Sequence, residues 1–223
     1  MSESHGIAYR GVRARVREVV EGVDAAALGR IVPATPRWTG HDVLAHMVGV
    51  PDDVVHGRMD GLASDHWTQA QVDARASASV ADLLAEWDEY TAQFEEMLSA
   101  APAEIAGQAI FDAATHEHDL RNALGLAGAR DSDAVSSGWD WIVGARTRGG
   151  RPAICFVAEL GEQVSGVGAV AARVEASRFE LFRAVAGRRT AKEIAHYGWN
   201  CEPDPVLLLA ADFFSIPSES IGE

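Results

Sequence analysis

Lysine is almost missing from this 223-residue chain: Lys192 stands alone among the nineteen basic residues, and the rest are arginine. Acidic side chains number 33, so the formal net charge is −14. A chain with that balance lacks the basic footprint that nucleic acid or an anionic membrane requires of a main partner. Cysteine is nearly as scarce. Cys155 and Cys201 cannot make a disulfide scaffold, and free thiols are the expectation. No apolar run approaches the ~18 to 20 residues of a membrane span. The polar start Met1-Ser-Glu-Ser-His5 does not read as a signal peptide, which makes the cytoplasm the default location. Also absent are a glycine-rich phosphate loop, a nucleophile elbow, a Cys-x-x-Cys pair, internal repeats and low-complexity tracts. Those absences remove the commonest nucleotide-binding and hydrolase readings.

What is present is ordinary for a folded protein: 48% hydrophobic and 23% charged residues, in a length that accommodates one large domain or two small ones. The richness in alanine, glycine, valine and arginine points to a high-GC genome. Heptad-like spacing of Val12, Val16, Val19 and Val23 predicts a first helix over about Ile7 to Val23. Thr39 with Asp42 forms a capping-box signal, so a second helix starts at Gly40, with Pro51 as a kink or the start of a new segment. Gly61 to Ser79 reads as a loop with a helical turn near Trp67 to Val72. Ser79 with Asp82 caps a third helix running to about Ala100, with Leu83, Trp87, Tyr90, Phe94 and Met97 as its stripe. A fourth helix opens at Pro102 and ends near Gly125. Four long helices with internal faces predict an antiparallel bundle.

Composition changes beyond Gly125. Leu126 to Ser137 reads as a linker, and Trp139 to Ala145 as a short helix. Strands are expected at Pro152 to Ala158, Gln163 to Val167 and Ala169 to Glu175, with Gly161, Gly166 and Gly168 at turns or bulges. Helices follow at Arg178 to Val185 and from Thr190, and Val206 to Phe214 closes as an apolar segment. The fold class is therefore mainly α with an α+β part: residues 1–128 as the bundle and 133–223 as a small α+β domain.

The chemically unusual stretch is Phe111-Asp-Ala-Ala-Thr-His-Glu-His-Asp-Leu120. Ile105, Ala109, Asp112, His116, Asp119 and Ala123 share one helix face, the face that points into a bundle. A carboxylate and an imidazole stacked there require partners. Asp112 and His116 can ligate one ion from one helix, and His46 from a neighbouring helix completes a set of two imidazoles and a carboxylate. Three protein ligands with open positions is the pattern of a catalytic divalent ion. The alternative is a buried Asp112–His116 pair that satisfies itself. Asp119 is placed to orient a ligand, whereas Glu117 and His118 fall off the inner face and are expected in solvent. His41, His56, His66 and His196 are scattered and suit surface or capping roles. Cys155, in a strand, reads as core. Arg178, Arg183 and Arg189 sit around a helix and suit its dipole, with carboxylate binding as the functional alternative.

Trp38-Thr39 leading to Asp42-Val-Leu-Ala-His46 resembles the W-[ST]-x-x-D-[VL]-[LV]-x-H signature of the DinB-like bundle superfamily. Within it, the likeness is to the mycothiol-dependent maleylpyruvate isomerase family, whose fourth helix carries E-x-x-x-H-x-x-D. The matching positions are Asp112, His116 and Asp119, so an aspartate stands where the family has glutamate. Ser177 to Arg189 with Trp199 resembles the family's C-terminal domain and its Gly-Arg pair, here Gly187-Arg188.

The resemblance, which covers about Tyr9 to Pro205, implies a metal held by His46, Asp112 and His116, usually zinc. It also implies mycothiol, a low-molecular-weight thiol of actinobacteria, as cosubstrate, and Arg188 as a catalytic residue near the active site. The activity it implies is an isomerase or S-transferase in which a metal-bound thiolate adds to a small electrophile. Its partners would be that small substrate and the thiol, with no nucleic acid and no membrane, in a monomer or homodimer. The competing reading is a non-catalytic bundle protein that binds a small molecule or a partner, its metal site degraded at Asp112.

Overall fold

The computed structural model describes residues 3–212 and 214–223. The first residues of the chain, and Phe213 within the closing apolar segment, lie outside that description. Two compact units form. One comprises the residues up to Ala106 together with His116–Gly128, and the other Gly107–Thr115 with Ala129–Glu223.

In the first unit, α1 (Glu3–Glu21) is followed by α2 (Ala25–Leu28) and a two-stranded antiparallel ribbon, β1 (Ile31–Val32) with β2 (Thr35–Thr39). Then come α3 (Gly40–Val55), α4 (Asp65–Ala74), α5 (Val80–Ala100) and α6 (Ala103–Ala123). Helices α1 and α3 both pack on α5, and with the C-terminal part of α6 in the same unit they give a four-helix bundle. The ribbon was not legible in advance, and α4 is a full helix where only a turn was expected; Ser64 caps it by accepting from the Trp67 amide. Both capping boxes read from the sequence, Thr39 with Asp42 and Ser79 with Asp82, are formed. Pro51 sits inside α3 without ending it.

Valines 12, 16, 19 and 20 of α1 are buried, whereas Val23, expected on that face, lies beyond the end of the helix at Glu21 and is only half-buried. Arginines on the same helix reach α5: Arg13 donates to Asp88 at 2.6 Å and Arg10 to Glu95 at 2.7 Å. Tyr9 lies edge-on to Phe94, with ring centroids 4.9 Å apart, and its hydroxyl accepts from Trp87 Nε1 at 2.8 Å. The buried stripe of α5 is Leu83, Trp87, Thr91, Phe94 and Leu98, with Met97 39% exposed. The expected four-three-four-three spacing ended on Met97 instead. An α-helix drifts ~20° per heptad from such a repeat, and two heptads rotate Met97 out and Leu98 in.

The middle of α6 belongs to the second unit. There Phe111 packs against Trp141, Phe182 and Phe214, and Arg183 donates to the Thr115 carbonyl at 3.2 Å. Helix α7 (Asp133–Arg148) begins inside the stretch read as linker, because Ser132 caps it and Val135, Trp139, Ile142 and Val143 are buried along it. The sheet has strand order β4-β3-β5-β6, from β3 (Pro152–Ala158), β4 (Gly161–Ser165), β5 (Val167–Glu175) and β6 (Gly198–Trp199). Strand β4 runs antiparallel to β3 on one side, and β5 runs parallel to β3 on the other. Only Gly166 separates β4 from β5, so the chain crosses under the start of β3 in one residue. Its φ is +114°, and a Cβ there would stand 2.4 Å from the Pro152 carbonyl oxygen. No other residue type fits.

Helix α8 (Arg178–Val185), α9 (Ala191–Ile194) and α10 (Pro205–Leu208) complete this unit. Trp139 meets Phe156 edge to face at 5.1 Å. Arg146 is fully buried and donates to the carbonyls of Leu208, Leu209 and Pro152. Desolvation, with the nearby Arg151 charge, pushes its guanidinium down to about 10. No helix among the described residues is long and apolar enough to cross a membrane.

Candidate metal centre

Helix α3 carries His46 and helix α6 carries Asp112 and His116. One donor atom from each lies within 4.8 Å of the other two. Two ligands of a tetrahedral zinc stand about 3.3 Å apart at ordinary bond lengths, so the set is close to ligating distance. His46 is 1% exposed and His116 8%, while Asp112 is half-buried. Two imidazoles and a carboxylate with converging donor atoms fit a borderline divalent metal by donor chemistry.

His46 is oriented through Nδ1. His46 Nδ1 lies 2.7 Å from Gln71 Oε1. His116 Nδ1 stands 3.2 Å from Asp119 Oδ2, one turn further along α6, and Asp119 is fully buried. An imidazole engaged at Nδ1 offers Nε2 as its ligand atom. His116 turns Nδ1 toward Asp119, a close approach that lacks hydrogen-bond geometry. The two imidazoles lie nearly edge to face, with centroids 5.0 Å apart. Trp38, at the end of β2, covers both, at 5.3 Å from His46 and 6.1 Å from His116, and is tethered by Nε1 to Gln69 at 3.1 Å.

Glu117 and His118 correct the sequence reading. They are 1% and 2% exposed rather than solvated. Arg15 of α1 grips Glu117 bidentately at 2.8 and 2.7 Å, and Arg121 adds a contact at 3.1 Å. The face of α6 beyond the metal-facing stripe is thus covered by α1, and an ion pair makes burial tolerable there. At the other end of the expected inner face, Ile105 is 64% exposed. It lies in the first turn of α6, where Ala106 and Ile110 are buried instead.

The scattered histidines do local work: His41 contacts the Ala78 carbonyl at 2.8 Å and His56 that of Asp52 at 2.9 Å. Arg189 pairs with Glu180 and Glu223, and Arg183 with Glu223 and the Thr115 carbonyl. These two serve ion pairs within their own unit. Arg188 follows Gly187, the positive-φ residue that ends α8; it is half-buried and donates to the Ala186 carbonyl at 2.7 Å. Both cysteines are free. Burial raises the Cys155 thiol, and the Glu162 carboxylate adds to that, so it is disfavoured as a nucleophile. Residues that went unread as site components are Gln71, Asp53 and the capping Trp38. Only Trp38 left a signal, as part of the tryptophan-threonine motif.

Helices α3 and α6 thus bring together a two-histidine, one-carboxylate set that could hold a metal ion. The profile described as "Mycothiol maleylpyruvate isomerase N-terminal domain" matches residues 9–124, and the chain belongs to that family. No curated protein matches it. Two solved structures are similar: one titled as the mycothiol-dependent maleylpyruvate isomerase, at TM-score 0.65, and one of a histidine-to-alanine mutant, at 0.63. Each is 14% identical and aligns over 92% of this chain and 95% of its own. At that identity the likeness establishes the fold.

Proposed function

We propose that this chain is a metal-dependent, mycothiol-using isomerase or S-transferase. The convergence of His46, Asp112 and His116 from two helices carries the reading. These three residues would hold a divalent ion, zinc by the chemistry of two nitrogen donors and one oxygen. Bound there, such an ion makes a coordinated thiol available as a thiolate near neutral pH. Gln71 holds the His46 ring by its Nδ1, Asp119 stands beside His116 Nδ1, and Trp38 covers the rings with an apolar face. Thiolate addition to an activated double bond, rotation about the resulting single bond and departure of the thiolate is a cis–trans isomerisation. With another electrophile the same thiolate gives S-transfer. Neither cysteine of the chain is needed, since the thiol arrives with the cosubstrate. Arg188 is the family-implied residue for a substrate carboxylate, for which a guanidinium fork is suited.

The test is elemental analysis of protein purified without chelator or affinity-tag nickel. It is paired with a thiol-conjugation screen comparing mycothiol with glutathione, for the parent, His46→Ala and His116→Ala. About one ion per chain in the parent is expected, with mycothiol-dependent turnover that both variants lose. No metal in the parent, or turnover undiminished in both variants, would sink the reading.

A further inference from the structure

Three hydrogen bonds join His46 to the surface of the first unit. Arg58 Nε donates to Asp53 Oδ1 at 2.7 Å. Gln71 Nε2 donates to Asp53 Oδ2 at 2.6 Å. Gln71 Oε1 then faces His46 Nδ1 at 2.7 Å. The direction of this chain follows from its first member. A carboxylate only accepts, so the amide nitrogen of Gln71 must face Asp53 and its oxygen must face the imidazole. An amide oxygen also only accepts, so Nδ1 of His46 carries the hydrogen and Nε2 holds the lone pair. The amide orientation and the tautomer, usually matters of assignment, are here fixed by a charge at one end.

The surroundings fit a device of this kind. Gln71 is 2% exposed, and the Asp53 side chain 13%. Gly49, one turn beyond His46 on α3, leaves the space that Gln71 fills: a Cβ there would stand 2.6 Å from Gln71 Cβ and 2.7 Å from its Cγ. Arg75 holds the two helices in this relation, donating to the Gln71 carbonyl at 3.1 Å and to Asp52 at 2.8 Å.

We propose that Gln71, oriented by Asp53, is a positioning residue that holds His46 in the tautomer whose Nε2 can ligate a metal. This rests on the metal-centre reading above, so the experiment separates the two. Imidazole nitrogen NMR of the metal-free full chain reads the tautomer directly, and chelator competition reads zinc affinity. The parent is expected to show His46 protonated at Nδ1. Gln71→Leu is expected to mix the tautomers and to weaken zinc binding roughly 10- to 100-fold, the range for partners behind a ligating histidine. The double variant Asp53→Asn with Gln71→Glu reverses the bond between positions 53 and 71 but keeps an accepting oxygen at position 71 facing His46 Nδ1. It should recover the parent tautomer and come within about threefold of its affinity.

Asp53→Asn alone, at the accessible end, is expected to give partial mixing and an intermediate loss, and it serves if Gln71→Leu does not fold. A folded Gln71→Leu with the parent's tautomer and affinity overturns the proposal. A parent that binds no zinc but shows a tautomer change in Gln71→Leu overturns the metal reading while upholding the role of Gln71 in orienting His46.

Discussion

The imidazole rings of His46 and His116 meet nearly edge to face, centroids 5.0 Å apart and planes at 83°, although they come from different helices. With an Asp112 oxygen within 4.8 Å of both, the pair forms a donor set that no single stretch of chain could assemble. Asp112 is the member that departs from the family pattern, and its oxygen nonetheless stands within the same 4.8 Å as the rest.

A substitution series at Asp112 checks that directly. Asp112→Ala is expected to weaken zinc binding by at least about 100-fold, more than loss of an outer partner costs. Asp112→Glu, one methylene longer, should stay within about tenfold of the parent. Competition with a chromophoric chelator measures both. A large gain in Asp112→Glu would mean that the aspartate is too short after all.

Trp38 gives a spectroscopic handle, because its indole lies over both rings. Cobalt titrated into the parent should quench a distinct fraction of tryptophan emission. Trp38→Phe is expected to abolish that fraction while leaving cobalt affinity within about threefold, since the indole is no ligand. Equal quenching in both proteins would place the ion elsewhere.

Glu117 should matter to stability and not to metal. Its side chain is 1% exposed and bound by Arg15, itself 29% exposed. Removing one partner of a buried pair costs about 3 to 5 kcal/mol, and the partial exposure of Arg15 brings the expectation for Glu117→Gln to about 2 kcal/mol. Urea unfolding measures the loss, and an unchanged zinc affinity shows that it is not routed through the centre.

Acid sensitivity should trace in part to Glu180. Its burial pushes the carboxyl up, but the Arg189 guanidinium, through hydrogen bonds and charge, outweighs burial and holds it below the ordinary 4.5. A carboxylate depressed in the folded state stabilises fully above 4.5, and the contribution is lost as pH falls through its folded value. Parent stability should therefore fall between about pH 5 and pH 3, and Glu180→Gln should be less stable at pH 7 with a flatter acid limb. Unfolding midpoints across that range provide the comparison.

Arg188 is tested by kinetics. Arg188→Ala is expected to raise KM for a carboxylate-bearing electrophile about tenfold or more, with Arg188→Lys recovering only part, since an ammonium cannot make the paired contact. Substrates without a carboxylate should be turned over equally by parent and variant.

Local chemistry was enough to place much of this protein. The capping boxes at Thr39 and Ser79, the valine face of α1 and the i, i+4 pair Asp112 and His116 all depend on residues within a turn or two of each other. A sequence displays such neighbours directly. His46 was legible for the same reason, as the end of a motif that starts at Trp38. Helix α4, the start of α7 and the Gly166 crossover were missed or cut short, because their signals are a single cap or a single glycine whose meaning depends on what lies across from it. Glu117 was misplaced because one helix face says nothing about which other helix covers the next one. Gln71 and Asp53 went unread for the deeper version of that reason. A glutamine becomes an orienting group only when another helix brings its oxygen to an imidazole and its nitrogen to a carboxylate. That Asp112 and His116 share one helix face was written in the sequence by periodicity; which way the His46 ring faces was decided by long-range packing, through hydrogen-bond partners that only the tertiary structure selects.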